Sequence, residues 1–476
     1  MLRLKQTIFH RNRDISHKII LLGLPVIASN LSRTFMNLAD MAMVGRLGAS
    51  ALAATGMGAM LTWIVLNFGM SFRTATQTVT SRRLGQKRYN ECGTALRNGH
   101  ILAAIFGIPI SLLGYFFADR LVPLFLDDPK VIAMCIDYAS IAFLSTFFTT
   151  LGFAFQGFYT GIERTRIHMN VSVIANILNV YLNAGLIYGR DGIQSGLSSV
   201  SGMDFSWFGA LWSWYPFPAM GVKGAAMATL IASLWMAIHY SLYLITPTIQ
   251  KKYKVFSLHL SKAMMKRQVL LALPQGSQGM LVVLGYALFY KILAKIGVVE
   301  LASTEVVFTI LHTSFMPAAG IGQACATLVG KYLGEKEPKK AEISIVESVR
   351  WSMMIMGTLG ILFITIPQYI LPIFTNDPDV IRIGSVALRI AGFVQFADAV
   401  GMTLWFSLSG AGNTFFPAAV ESAIIWLFFL PFSYITGIVL GWGFIGPWIG
   451  MATYLFLFAS IMLWKILKGD WKEIEV

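Results

Sequence analysis

Four polar residues interrupt an otherwise apolar stretch: Asn30, Arg33, Asn37 and Asp40. Their spacing of i, i+3, i+7 and i+10 places them on one stripe of a helix. Asn176, Asn179 and Asn183 repeat the i, i+3, i+7 spacing further along. Both sets are flanked by residues typical of membrane spans, where a charged group is costly and is tolerated facing a bundle interior or a wet cavity. Two chemistries are open to Asp40. It can take up and release a proton as access to it alternates. It can equally hold Na⁺ with amide oxygens, because hard cations take oxygen ligands. Asp398 is a second acid of this kind. Arg33 and Arg73 are read first as counter-ions for Asp40 or Asp398, and second as ligands for an anionic part of a substrate. Arg33 is too deep to snorkel easily, whereas Arg73 lies nearer a helix end. The Asn residues also have a plain structural reading, as hydrogen bonds that join helices. Pro25 removes one helical hydrogen bond and predicts a bend near the inner third of the first helix.

The elements that must position these groups are membrane spans. The chain has 476 residues, 56% of them hydrophobic and 13% charged, and its mean hydropathy is +0.66. Apolar runs of about 20 residues are long enough to cross a bilayer. Twelve are predicted, near 19–44, 53–80, 96–118, 131–158, 168–188, 221–245, 269–294, 301–329, 346–370, 380–408, 416–440 and 444–466. The first has no small-residue cleavage site and reads as a span, not a signal peptide.

The net charge of +14 could suggest nucleic acid, but its placement argues against that partner. Lys and Arg gather in the first segment (Arg3, Lys5, Arg11, Arg13, Lys18) and in every second connection, as in Arg82, Arg83, Lys87 and Arg88. Lys251, Lys252, Lys254, Lys262, Lys266 and Arg267 form another group, and Lys331, Lys336, Lys339 and Lys340 a third. This positive-inside pattern predicts both ends of the chain in the cytoplasm of a multi-pass cell-membrane protein. Cys92, in a loop, and Cys135 and Cys325, in spans, match neither a disulfide framework nor a metal-ligand spacing.

The two halves match at one offset. Leu24-Pro25 pairs with Leu273-Pro274 (273 − 24 = 249), and Gly48, Leu84-Gly85, Pro123, Asp128-Pro129, Gly161 and Thr165 recur 249 residues later. The offset becomes 222 at Gly221 and Gly443 (443 − 221 = 222), leaving 27 extra residues (249 − 222) within 189–220. The expected fold is an all-α integral membrane protein with twelve transmembrane helices. Its two six-helix lobes are related by a pseudo-two-fold axis along the membrane normal. The expected organisation is a cytoplasmic segment at 1–18, lobes at 19–245 and 269–467, a cytoplasmic linker at 246–268 and a cytoplasmic tail at 468–476. The insertion at 189–220 carries Phe205, Trp207, Phe208, Trp212, Trp214 and Tyr215, which suits an interfacial segment or a lid over the outer mouth.

Matched positions separate scaffold from chemistry. Asp128-Pro129 and Asp377-Pro378 read as helix starts, with Asp as N-cap and Pro at the first helical position. Gly161–Thr165 and Gly410–Thr414 read as inner turns. The mismatches carry more information: Asp40 pairs with Phe289, Arg33 with Val282, Asn37 with Tyr286 and Arg73 with Gly322. Asn176, Asn179 and Asn183 pair with Ile425, Phe428 and Phe432, and Asp398 with Thr149. Helix rise puts Asp40 about 6 Å short of the outer end of its helix. Asn183 is at a similar height, so the two stripes could enclose a wet pocket. Glu305 and His312 form a minor candidate pair. Glu421 is placed near the inner end, within reach of water, and His239 reads as a hydrogen-bonding core residue.

The run from Asn37 to Gly48, with Asp40, Gly45, Arg46 and Leu47, resembles the first-helix motif of the multidrug and toxic compound extrusion (MATE) transporters. Thr327-Leu-Val-Gly-Lys-Tyr-Leu-Gly334, Gly161-Ile-Glu-Arg-Thr165 and Asn179-Val-Tyr-Leu-Asn183 resemble other motifs of that family. The resemblance spans nearly the whole chain apart from the aromatic insertion. It implies an antiporter exporting amphipathic, often cationic, compounds in exchange for H⁺ or Na⁺, with no cofactor. Asp40 then matches the family's cation-coupling acid, Asn179 and Asn183 its fifth-helix polar pair, and Asp398 the tenth-helix acid of the NorM-like branch. That branch's seventh-helix Glu is absent, since Gln275, Ser277 and Gln278 stand there. The polar first half resembles the DinF-like pattern, which favours H⁺. Asn30, Arg33, Asn37, Asn176 and Arg73 are expected along the substrate pathway, and the protein is expected to work as a monomer. An alternative is a flippase or exporter of a lipid-linked or anionic metabolite, motivated by Arg33 and Arg73. An intramembrane enzyme would need clustered acids or a nucleophile–base pair. The one adjacent acidic pair, Asp127-Asp128, is explained by capping.

Overall fold

Helix follows helix because apolar runs in lipid must satisfy their backbone groups internally. The computed structural model describes residues 12–198, 206–257 and 259–476. Arg3, Lys5, Arg11 and Phe205 lie outside the described residues, as do the side chains of Trp207 and Phe208. Twelve helices are long and apolar enough to cross a membrane. In the first half they are α1 (Arg13–Gly45), α2 (Ala49–Gly85), α3 (Tyr89–Leu121), α4 (Pro129–Gly161), α5 (Thr165–Ser198) and α6 (Val222–Leu244). In the second half they are α7 (Lys262–Ile296), α8 (Val298–Gly334), α9 (Pro338–Thr365), α10 (Pro378–Gly410), α11 (Phe415–Val439) and α12 (Ile445–Lys468).

The fold is two six-helix lobes in parallel repeat, and their turns repeat in detail. Asp128 Oδ1 accepts from the backbone N–H groups of Lys130 (2.8 Å) and Val131 (3.4 Å) at the start of α4. Asp377 Oδ1 accepts from Asp379 (2.9 Å) and Val380 (3.3 Å) at the start of α10. Both acids are therefore N-caps. Lys87 after α2 and Lys336 after α8 share a left-handed φ of 60°.

Several helices exceed their apolar runs, because polar turns extend them past the hydrocarbon zone. One consequence concerns Cys92, expected in a loop. The third helix starts at Tyr89, so Cys92 sits in its first turn and is buried. In α1 the helix runs through Pro25 without interruption. The helix α5 turns sharply at Gly189 (φ 72°, ψ 170°) and continues into the insertion. There Trp212 stacks on Tyr181 at 5.0 Å between centroids and donates from Nε1 to the Tyr181 carbonyl at 2.9 Å. Trp212 and Phe217 are buried against Leu186 and Ile193, while Trp214 is 71% exposed.

The lobes are joined at the end carrying the basic connections. Gln77 Nε2 on α2 donates to the Gln323 carbonyl (2.8 Å) and to Thr327 Oγ1 (2.9 Å) on α8. Thr78 Oγ1 donates to the Ser409 carbonyl at 2.9 Å. Arg82 Nη2 donates to the carbonyls of Ala411 (3.1 Å) and Ile474 (2.8 Å). Lys331 Nζ pairs with Glu163 at 2.8 Å. The backbones of α2 and α8 approach so closely that a Cβ at Gly85 would lie 2.0 Å from the Lys331 carbonyl oxygen. One at Gly334 would lie 2.3 Å from that of Arg82. Glycine at both positions is what allows this seam.

Candidate functional site

Asp40 is the outermost member of the α1 stripe and is half-buried. Asn183 Nδ2 on α5 donates to Asp40 Oδ1, and it also lies 3.1 Å from Asn179 Oδ1, one turn below. Asn179 Nδ2 reaches Thr229 Oγ1 on α6 at 3.4 Å. Asn176 Nδ2 donates to Ser32 Oγ on α1 at 3.0 Å. The equal heights read from helix rise therefore become a contact, and the Asn stripe links α1, α5 and α6. Asn179 and Asn183 are each 1% exposed, and the Asn183 carbonyl oxygen is buried without a hydrogen-bond donor. Tyr138 on α4 is close enough to interact electrostatically with Asp40. The group is thus a carboxylate held by an amide N–H whose own carbonyl oxygen is unsatisfied. Such a group can share a proton or supply oxygens to a hard cation.

The rest of the α1 stripe is less tightly held. Asn30 and Asn37 make no side-chain hydrogen bond among the described residues, and Asn37 is exposed. Arg33 and Arg73 do not pair with Asp40 or Asp398. Among the described residues neither guanidinium has an ion pair or a hydrogen bond, and Arg73 Nε is buried without an acceptor. This corrects the counter-ion reading. Both guanidiniums lie within electrostatic range of Tyr240, and Arg73 within that of Arg33. Along α1, Arg33 lies seven residues below Asp40, or about 10 Å at helical rise.

A second acidic group lies in the other lobe. Asp398 on α10 is half-buried and lies within electrostatic range of Glu421 on α11 and of Tyr286 and Tyr454. Glu421 does not simply reach water at a helix end, as expected. Its Oε2 accepts from Gln278 Nε2 on α7 at 2.8 Å, and its Oε1 accepts from the Tyr454 hydroxyl on α12 at 3.2 Å. The missing seventh-helix Glu thus has a counterpart on α11, and α7 supplies the amide that binds it. Immediately after Glu421, α11 widens into π-helical geometry over Ile424–Phe429, and again over Ile435–Val439. Such bulges are frequent at functional sites. A sequence signal for Glu421 existed, since its partner at the 249 offset is Ser172, a mismatch like that at Asp40.

Among the described residues, no group of three or more His, Cys, Asp and Glu side chains could hold a metal ion. Glu305 and His312 are both exposed on α8, and His312 has no hydrogen bond among the described residues.

Comparison with known proteins places these sites in context. A family model described as MatE matches residues 25–184 and 274–435. The two matches begin 249 residues apart (274 − 25 = 249), the offset of the internal repeat. A relative from Thermotoga maritima, "Probable multidrug resistance protein NorM", is 24% identical over 464 residues, covering 97% of this chain and 94% of that one. A solved structure described as "Outward-facing conformation of a multidrug resistance MATE family transporter of the MOP superfamily" superposes with a TM-score of 0.84 at 18% identity. It covers 99% of this chain and 98% of that chain. A second, from Pyrococcus furiosus, is described as "Reverse polarity of binding pocket suggests different function of a MOP superfamily transporter". It superposes with a TM-score of 0.82 at 18% identity, with the same coverage.

Proposed function

The chain belongs to the MatE family of multidrug efflux transporters, and from that premise we propose that it is an antiporter in which Asp40 carries the coupling ion. The observation that supports this most is the Asp40–Asn183 hydrogen bond, beside the unsatisfied Asn183 carbonyl oxygen. A carboxylate held by one amide and not locked in an ion pair can exchange a proton or cation between conformations. H⁺ is the favoured ion, because the polar first half, with Asp40, Asn179 and Asn183, resembles the DinF-like pattern. The substrates are amphipathic organic compounds crossing between the lobes.

The positive-inside rule assigns the basic end to the cytoplasm. On that orientation the seam of Gln77, Thr78, Arg82 and Lys331 closes the inner side, and this conformation is open outward. Inward opening then breaks the α2–α8 seam, and Pro25 supplies the hinge in α1. Asp398 with Glu421 forms a second acidic centre that responds to the same rearrangement. The unpaired Arg33 and Arg73 favour a second reading for part of the substrate range, in which the exported molecule carries an anionic group.

Uptake of a fluorescent cationic dye into proteoliposomes, driven separately by a pH gradient and by a Na⁺ gradient, tests this reading. It predicts transport under the pH gradient alone. Transport that follows only the Na⁺ gradient contradicts it.

A further inference from the structure

Arg33 and Arg73 are handled unlike Arg97 and Arg82 of the same lobe. Arg97 donates to the carbonyls of Lys254, Val255 and His259. Arg82 donates to those of Ala411 and Ile474. Arg33 and Arg73 donate to nothing among the described residues, and Arg73 Nε is fully enclosed. A guanidinium presents five N–H donors and no acceptor, so it is costly to enclose without an acidic or carbonyl partner. Here two of them sit near each other, where their charges repel.

The repeat supplies an internal control. In the second lobe the matching positions are Val282 and Gly322. Neither matching position carries a charged side chain, so the architecture does not require arginine at either place.

The surroundings are polar. Tyr240 and His168 lie close to both guanidiniums. The Tyr240 hydroxyl is 2.7 Å from His168 Nδ1, and Ser172 Oγ is 3.2 Å from the same nitrogen. Tyr240 is backed by Phe155 and Tyr159, stacked at 5.3 and 5.6 Å. Among the described residues no Asp or Glu side chain pairs with either guanidinium, and the missing component is a negative charge.

We propose that Arg33 and Arg73 form an anion-binding subsite in the first lobe, which takes the carboxylate or phosphate head of an amphipathic substrate. The fork of a guanidinium fits the paired oxygens of either head. One turn of cycle then brings together two functions about 10 Å apart on α1: ion exchange at Asp40 and substrate capture at Arg33. The inference rests on the transporter reading above and narrows its substrate class.

The test uses two dyes with the same aromatic body and opposite heads, dansylglycine and dansylethylenediamine, on the full detergent-solubilised chain. Fluorescence anisotropy is expected to report dansylglycine binding. Arg33→Gln and Arg73→Gln should each weaken that binding by about tenfold or more, as loss of a charge-assisted hydrogen bond does. Neither should weaken dansylethylenediamine. Arg73→Lys, which keeps the charge and loses the fork, should fall between. Size-exclusion profiles and melting curves establish that the variants fold. Displacement by an anionic lysophospholipid and not by hexanoate assigns the head group to lipid, and the reverse to a soluble organic anion; both support the subsite. Asp40→Asn should abolish transport yet still bind dansylglycine, so a failure of the coupling reading is visible separately. Failure of the wild-type protein to bind dansylglycine, or equal binding by folded Arg33→Gln and Arg73→Gln variants, overturns the proposal.

Discussion

Asn183 on α5 donates its side-chain amide to the carboxylate of Asp40 on α1. That contact joins the two polar stripes and leaves the Asn183 carbonyl oxygen free. It gives a direct expectation for Asn183→Leu. The carboxylate loses its one protein donor, and a hydrogen bond to a charged group contributes about 1.5–3 kcal/mol. Ion-coupled transport should fall by about tenfold or more, while dye binding in the absence of a gradient changes little. Initial rates in proteoliposomes at several gradient strengths measure this.

The α2–α8 seam depends on absent side chains. A Cβ at Gly85 would meet the Lys331 carbonyl oxygen at 2.0 Å, well inside contact distance. Gly85→Leu should hold the basic ends of the lobes apart. Spin labels placed at Lys87 and Lys336 should show a longer distance distribution than in the parent protein.

Arg82 bridges the lobes through two carbonyls. Arg82→Gln shortens the side chain and removes the charge, so both bonds are lost. The expected cost is about 1–3 kcal/mol, read as a lower melting temperature. The same variant should shift the population away from the conformation described above, seen with the same spin-label pair.

Asp128 and Asp377 are caps, not reactive acids. Asp377→Ala should cost roughly 0.5–2 kcal/mol of stability and leave the specific transport rate of the folded fraction near that of the parent. A large loss of rate without a fall in melting temperature would assign these acids a different role.

Glu421 is expected to act with Asp398 as one unit. Glu421→Gln and Asp398→Asn should each lower coupled transport by about tenfold, the equivalent of about 1.4 kcal/mol. The double variant should be no slower than the slower single one, because residues acting together are not additive. Multiplying effects would show that the two acids work independently.

The architecture was legible in the sequence because lipid imposes strong rules. Spans announce themselves by apolar length, and the repeat showed in Leu24-Pro25 against Leu273-Pro274 and in the paired Asp-Pro caps. The matching height of Asp40 and Asn183 followed from helix rise, since both sit near the C-terminal ends of spans that run in the same direction; their lateral contact did not. Pairing between charges was not legible. Arg33 and Asp40 share a stripe, yet seven residues of rise separate them by about 10 Å, beyond ion-pair range. Glu421 was misjudged because its depth was read from helix ends, while its partners Gln278 and Tyr454 come from α7 and α12. Contacts between distant segments leave no local spacing to read.

The most direct test of the central claim follows the ion itself. Proteoliposomes loaded with a pH-reporting dye are given substrate from outside, with no gradient imposed at the start. Wild-type protein should move protons against the substrate, and Asp40→Asn, folded and able to bind substrate, should move none. Proton movement that persists undiminished in Asp40→Asn would contradict the assignment of coupling to Asp40.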